Sequence, residues 1–222
     1  MPRLKSDLYE SLYAGFNAPI SRFDCGTKCA PHNGGEPVCC NTQFAIPVST
    51  IEEWTFLKSR TAMWHSYKPR DEAERKVKEA LPRYCKMMEC NGAARCERDH
   101  RALSCRAFPF FPYVTKEYEF VGLTYYWTFE ETCWVISNLQ IVNKQFVYEF
   151  ISTFEYIFGK VADELEIFRD HSASMRRVFS RRGKNIPLIG RDANCYEVIP
   201  KTGEIQPAKV ETFEKFGVYK EK

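Results

Sequence analysis

The chain has no apolar run long enough to span a bilayer. Its most apolar stretch, residues 146–158, is interrupted by Glu149 and Glu155. It carries little excess charge. Against 32 Lys and Arg stand 29 Asp and Glu, a net charge of +3, which makes no case for a nucleic-acid or membrane partner. The N-terminal residues MPRLKSDLYESLY lack the apolar core of an export signal, so a cytoplasmic protein is expected. No internal repeat, low-complexity segment, GxGxxG fingerprint or Walker loop is present, and Asn33-Gly34-Gly35 reads only as a turn. Several cysteine patterns are missing too. The lack of a C-x2-C pair argues against a zinc ribbon or thioredoxin-type centre. The C-x3-C-x2-C run of radical-SAM clusters and the ferredoxin run C-x2-C-x2-C are also absent.

What is present is cysteine. The 222 residues hold ten, and in a reducing compartment such residues serve as metal ligands or catalytic groups rather than disulfides. Eight fall in one stretch: Cys25, Cys29, Cys39, Cys40, Cys85, Cys90, Cys96 and Cys105. Cys133 and Cys195 stand apart. The clustered ones sit among Gly, Pro, Asn and charged residues, the setting of ligand loops rather than of packed cores. Soft thiolates select zinc, Cu(I) or iron–sulfur clusters. One zinc or one [4Fe–4S] cluster takes four ligands. So either two sites exist, or some of these cysteines are structural or reactive.

Around the cysteines the periodicity predicts helices. Residues 5–16 carry Leu8, Leu12 and Phe16 on one stripe. A helix follows a capping box of Ser49 and Glu52. A charged helix spans about 70–80, with Glu72–Lys76 and Glu74–Lys78 pairs, and Pro82 ends it. Residues 23–42 and 84–112 read as loops, and 118–129 as one or two strands. Leu139, Val142, Phe146, Phe150, Phe154, Ile157, Val161, Leu165 and Phe168 mark one face of a long helix that Gly159 is placed to kink. A second piece covers 171–181 and stops at Gly183. Its basic residues Arg176, Arg177, Arg181, Arg182 and Lys184 read as a solvated helix end, with phosphate, RNA or an acidic partner as the alternative. Residues 195–210 form a hairpin. The expected fold is mainly α with small β content (α+β): an irregular cysteine-rich metal-binding core and a long packing helix. Residues 1–135 form the cysteine-cluster metal-binding domain. Residues 136–222 form a helical extension with the C-terminal hairpin, packed with them as one unit.

Cys39-Cys40, Cys90, Cys96, the internal Arg101 and the ending Cys105-Arg106-Ala107-Phe108-Pro109 resemble the YkgJ-type cysteine-cluster family, described as zinc- or iron-chelating domains. Ile46-Pro47-Val48-Ser49 to Trp54 resembles the family's helix entry, and the likeness covers roughly residues 16–113. The family's early cysteines are closer together than Cys29 and Cys39. Ala102 replaces a Pro, and Cys85 is additional. A looser resemblance is to flagellin lysine N-methylases, where Cys133 matches a later cysteine, and it hints at methyl-transfer or redox chemistry.

The expected ligands are Cys25, Cys29, Cys39, Cys40, Cys90, Cys96 and Cys105. The favoured cofactor is an iron–sulfur cluster, [4Fe–4S] first, with zinc as the alternative. Phe108, Phe110, Phe111 and Tyr113 are candidates to shield a cluster, or simply core. Arg101 and Arg106 either donate to cluster sulfurs or pair with Asp99 and Glu97. His32 is a possible ligand but reads as solvated. Asp24 reads as a turn cap, and Cys195 as a non-ligand. Whether the protein is an enzyme is open. Lysine N-methylase-type chemistry at the cluster and a structural zinc module that binds another protein are the alternatives.

Overall fold

In the computed structural model, residue 5 and residues 8–220 are described. Helix α1 (Leu8–Gly15) buries Tyr9, Leu12 and Tyr13; positions 6 and 7 of the expected helix lie outside the described residues. A single turn, α2 (Gly26–Cys29), lies inside the first cysteine loop. Strand β1 (Val48–Thr50) runs straight into α3 (Ile51–Lys58). Thr50 is the cap, its Oγ1 accepting the Glu53 N–H at 3.1 Å. The expected Ser49–Glu52 box is displaced by one residue because Ser49 is held in β1, opposite Lys86.

Strand β2 (Trp64–Ser66), helix α4 (Glu72–Ala80) and strand β3 (Cys85–Cys90) follow. No residue of α4 is buried. Its acids pair with arginines, Glu74 back to Arg70 at 2.5 Å and Glu72 forward to Arg75 at 2.7 Å. Strand β3 is central in a three-stranded antiparallel sheet ordered β1-β3-β2. Next come α5 (Leu103–Ala107), β4 (Phe110–Val114) and β5 (Phe120–Tyr125). Two helices follow, α6 (Lys144–Lys160) and α7 (Ala162–Arg182), then β6 (Ile186–Gly190), β7 (Cys195–Val198) and β8 (Ile205–Pro207). The last two strands are the expected hairpin.

The expectation of little sheet is overturned. A second antiparallel sheet has five strands in the order β4-β5-β6-β7-β8, so both sheets are substantial. The cysteine-rich region is not wholly irregular either, because residues 85–90 are a strand. The expected long helix is two. Gly159 stays helical, and the chain turns at Val161, with φ −133° and ψ 88°. Val161 is itself nearly buried, at 9% exposure, so its side chain packs where the two helices meet. Asp163 and Glu164 then sit in the first turn of α7, where the helix dipole favours acids. At the other end Gly183 adopts φ 64°, and the Lys184 N–H reaches Phe179 O at 3.1 Å, a Schellman ending.

The β5–β6 pairing joins residues before 135 to residues after it. One continuous core runs from Tyr9 to Phe216. Helix α7 lies across β4, with Ser172 Oγ accepting the Val114 N–H at 3.0 Å. Arg176, 7% exposed, donates to Tyr113 OH and Val114 O at 3.0 and 3.2 Å. Arg182 pairs with Glu130 at 2.7 Å. Part of the basic stretch is therefore built into the fold rather than solvated. Among the described residues no helix is long and apolar enough to cross a membrane.

Candidate metal centre

Four segments carry the cysteines toward one another. In the first, Asp24 Oδ1 accepts the Gly26 N–H at 3.0 Å, so Asp24 caps the turn that presents Cys25 and Cys29. Arg98 binds the other oxygen of Asp24 at 2.6 Å, which ties this turn to the loop holding Cys96. Asn33 bridges Cys29 O at 2.8 Å and Thr132 O at 3.0 Å, which brings in the segment with Cys133. Arg106 clamps α5, and hence Cys105, to the end of α1. Its guanidinium donates to Tyr13 O at 3.1 Å, Asn17 Oδ1 at 2.6 Å and Phe16 O, and also to Asp99 O at 2.7 Å. Arg106 thus holds backbone carbonyls and the Asn17 amide; among the described residues it neither bonds sulfur nor pairs with a carboxylate.

The result is two adjoining chambers. The larger, about 150 Å³, is lined by Cys25, Cys29, Cys39, Cys40, Cys96, Cys105 and Cys133, with Phe108 and Trp134. The smaller, about 40 Å³, is lined by Cys39, Cys40, Cys90, Cys96 and Cys105, with Met63 and Trp64. Cys39, Cys40, Cys96 and Cys105 line both. All seven expected residues are gathered here, and Cys133 joins them. Cys85 does not. It begins β3, whose other end is Cys90, and five steps of a strand are about 17 Å. Cys195 lies in β7, opposite Ile189.

Electrostatics agrees with this grouping. Burial, then the neighbouring Cys90 and Cys40 charges, push the Cys105 thiol far up. Burial and then Cys29 raise Cys25 to about 11. Burial, with Cys25 and Cys29 behind it, raises Cys133 to about 12. Cys39 and Cys40 approach to 3.9 Å between sulfurs. That hydrogen bond raises Cys39 and lowers Cys40, so the pair shares one proton. Arg101 donates from Nε to Cys96 Sγ at 3.3 Å. Burial thus keeps Cys25, Cys105 and Cys133 protonated, a condition that a bound metal reverses.

Among the described residues, no three Cys, His, Asp or Glu side chains already stand as a formed ligand group. A thiol swings its sulfur about one side-chain bond without backbone movement, and the donor set is chemically that of zinc or iron–sulfur.

Of the expected aromatics, Phe108 lines the larger chamber, whereas Phe110, Phe111 and Tyr113 are buried core of β4. The histidines are elsewhere. His32 meets the Tyr219 ring edge-on, His65 bonds Asn91 at 2.8 Å, His100 bonds Glu97 at 2.8 Å, and His171 stacks on Trp127. No protein-family model, curated protein or solved structure matches the chain.

Proposed function

We propose that the protein holds a metal centre of cysteine thiolates, an iron–sulfur cluster in the favoured form. The convergence of eight cysteines from four segments on two adjoining chambers carries this reading. Phe108, Trp134 and Trp64 wall the chambers against water, and Arg101 supplies a hydrogen bond to sulfur. Burial and hydrogen bonds to sulfur are the levers that set a cluster's potential. Such thiolates need a reducing compartment, in keeping with a cytoplasmic protein. The YkgJ-type resemblance points the same way.

The chambers also suggest how eight thiols divide. Cys90 lines only the smaller one, and its thiol feels Cys40 and then Cys96. Cys25, Cys29 and Cys133 line only the larger one. Beyond its bond to Cys40, Cys39 feels Cys133 ahead of Cys105, and placing it with the larger chamber gives two sets of four: Cys40, Cys90, Cys96 and Cys105, and Cys25, Cys29, Cys39 and Cys133. Four is the number that a zinc ion or a [4Fe–4S] cluster requires.

Anaerobic purification followed by metal and acid-labile sulfide analysis, with an absorption spectrum, tests the proposal. Iron with sulfide and a broad visible absorption is expected. Zinc without sulfide sinks the iron–sulfur form. Metal-free protein with reduced, monomeric thiols sinks the metal centre altogether.

A further inference from the structure

A cavity of about 510 Å³ lies on the other side of α5 from the cysteines of the two chambers. Leu103, Ser104 and Ala107 line it, while Cys105 lines the metal chambers. Its size is that of a small-molecule site. Its walls are rich in rings, among them Tyr9, Phe110, Tyr126, Phe154 and Phe168.

Its polar groups have an unusual distribution. Ser49 Oγ, Ser104 Oγ and His171 Nε2 are the buried side-chain atoms that lack a hydrogen-bond partner among the described residues. All three residues line this one cavity. Ser49 is only 3% exposed. A buried polar group without a partner is costly, and its retention calls for an occupant. The charges are one-sided. Glu52, Glu53, Asp163, Glu164 and Asp170 line the cavity, and among the described residues no lysine or arginine does. Glu164 is half-buried and has no cationic partner among the described residues. Burial, and behind it the neighbouring Asp163, raises its carboxyl, a cost that a cation beside it relieves. His171 does not offset these acids, because burial lowers its pKa and keeps the imidazole neutral.

We propose that this cavity binds a small aromatic amine, its ring among the aromatic walls and its ammonium group at Glu164. The hydroxyls of Ser49 and Ser104 and the neutral imidazole offer acceptors for N–H donors. Aromatic faces also favour a cation over an anion. An aromatic carboxylate of the same shape meets five acids and is excluded. The site does not depend on the metal centre.

Calorimetric titration of the full-length protein, in its metal state as purified, tests this with three probes of one shape: phenethylamine, phenethyl alcohol and phenylacetate. The amine is expected to bind about tenfold or more tighter than the alcohol, and phenylacetate not at all. Glu164→Gln removes the amine's advantage and leaves alcohol binding in place. Ile167→Lys, at a position 40% exposed on α7 and therefore tolerant of change, sets a cation at the cavity wall and abolishes amine binding. Failure of the amine to bind saturably, equal binding of amine and carboxylate, or an amine preference that survives both variants overturns the proposal.

Discussion

Glu53 joins three helices through one carboxylate. It is 4% exposed, and its Oε1 accepts from Tyr13 OH of α1 and from the Leu103 N–H of α5, each at 2.7 Å. Burial pushes its carboxyl up to about 7, against the lowering effect of those two bonds and of Arg106. The same group in an unfolded chain titrates near 4.3. Folding therefore takes up a proton in the interval between those values. The stability tied to this proton is complete below about pH 4.3, is lost as pH rises through about 7, and is gone above it. The loss amounts to roughly 3 kcal/mol. Glu53→Gln keeps an acceptor in place and has no proton to lose. Urea midpoints are therefore expected to fall from about pH 5 to about pH 8 for the native protein and to fall by less for the variant, where Glu130 and Glu164, also raised by burial, remain. An unchanged fall in the variant would show that another group is responsible.

Among the elements, β5 is the most tightly constrained. Gly122 lies opposite Gly190, and a Cβ there would stand 2.2 Å from Ile189 O. That neighbour is backbone and cannot step aside. Gly122→Ala is expected to cost roughly 1–3 kcal/mol or more, as overpacking does. Gly159 is the contrast, since a Cβ there meets nothing within 4 Å and the residue sits inside α6. Gly159→Ala is expected to stabilise by about 0.5–1 kcal/mol. Thermal melts of the two variants should move in opposite directions, and a shift of the same sign in both counts against this account.

The helices were legible because stripes such as Phe146, Phe150 and Phe154 recur at helical spacing. The strands of the first sheet were not. Two of them, β1 and β2, have only three residues each. The third reads Cys-Lys-Met-Met-Glu-Cys, whose charges and cysteines look like loop, yet Met87 and Met88 are buried at 4% and 0% exposure. In β6 the run Ile-Pro-Leu-Ile-Gly is punctuated by Pro187 and gives no alternation. Tertiary pairing decides such segments, not local propensity.

At the scale of the molecule, the cysteine site draws on contacts that local spacing does not encode. The Cys25–Cys40 and Cys90–Cys105 groups stood out because their members are near one another in sequence. Cys133 did not, since Glu-Thr-Cys-Trp holds a single cysteine; only the looser resemblance marked it, and the Asn33 bridge to Thr132 brings its segment in. The proposed division makes a quantitative prediction. Cys90→Ser and Cys133→Ser, one from each set, should each lower bound metal by about half, since each removes one of four ligands from one centre. Cys85→Ser and Cys195→Ser should leave it unchanged. Metal content per chain, measured on purified variants, decides this. Equal and complete loss in both ligand variants would mean one shared centre.

The order of strands also bears on how the chain is made. The first sheet and Cys105 are available once the first half of the chain has left the ribosome. The second sheet is not, because the free edge of β5 pairs with β6, which follows only after α6 and α7. Through that interval the β4–β5 hairpin carries an open edge that invites pairing with another nascent chain. Slow translation between residues 126 and 186 is therefore a hazard for this protein, and a construction line that begins with its cysteines has its weakest moment in the middle.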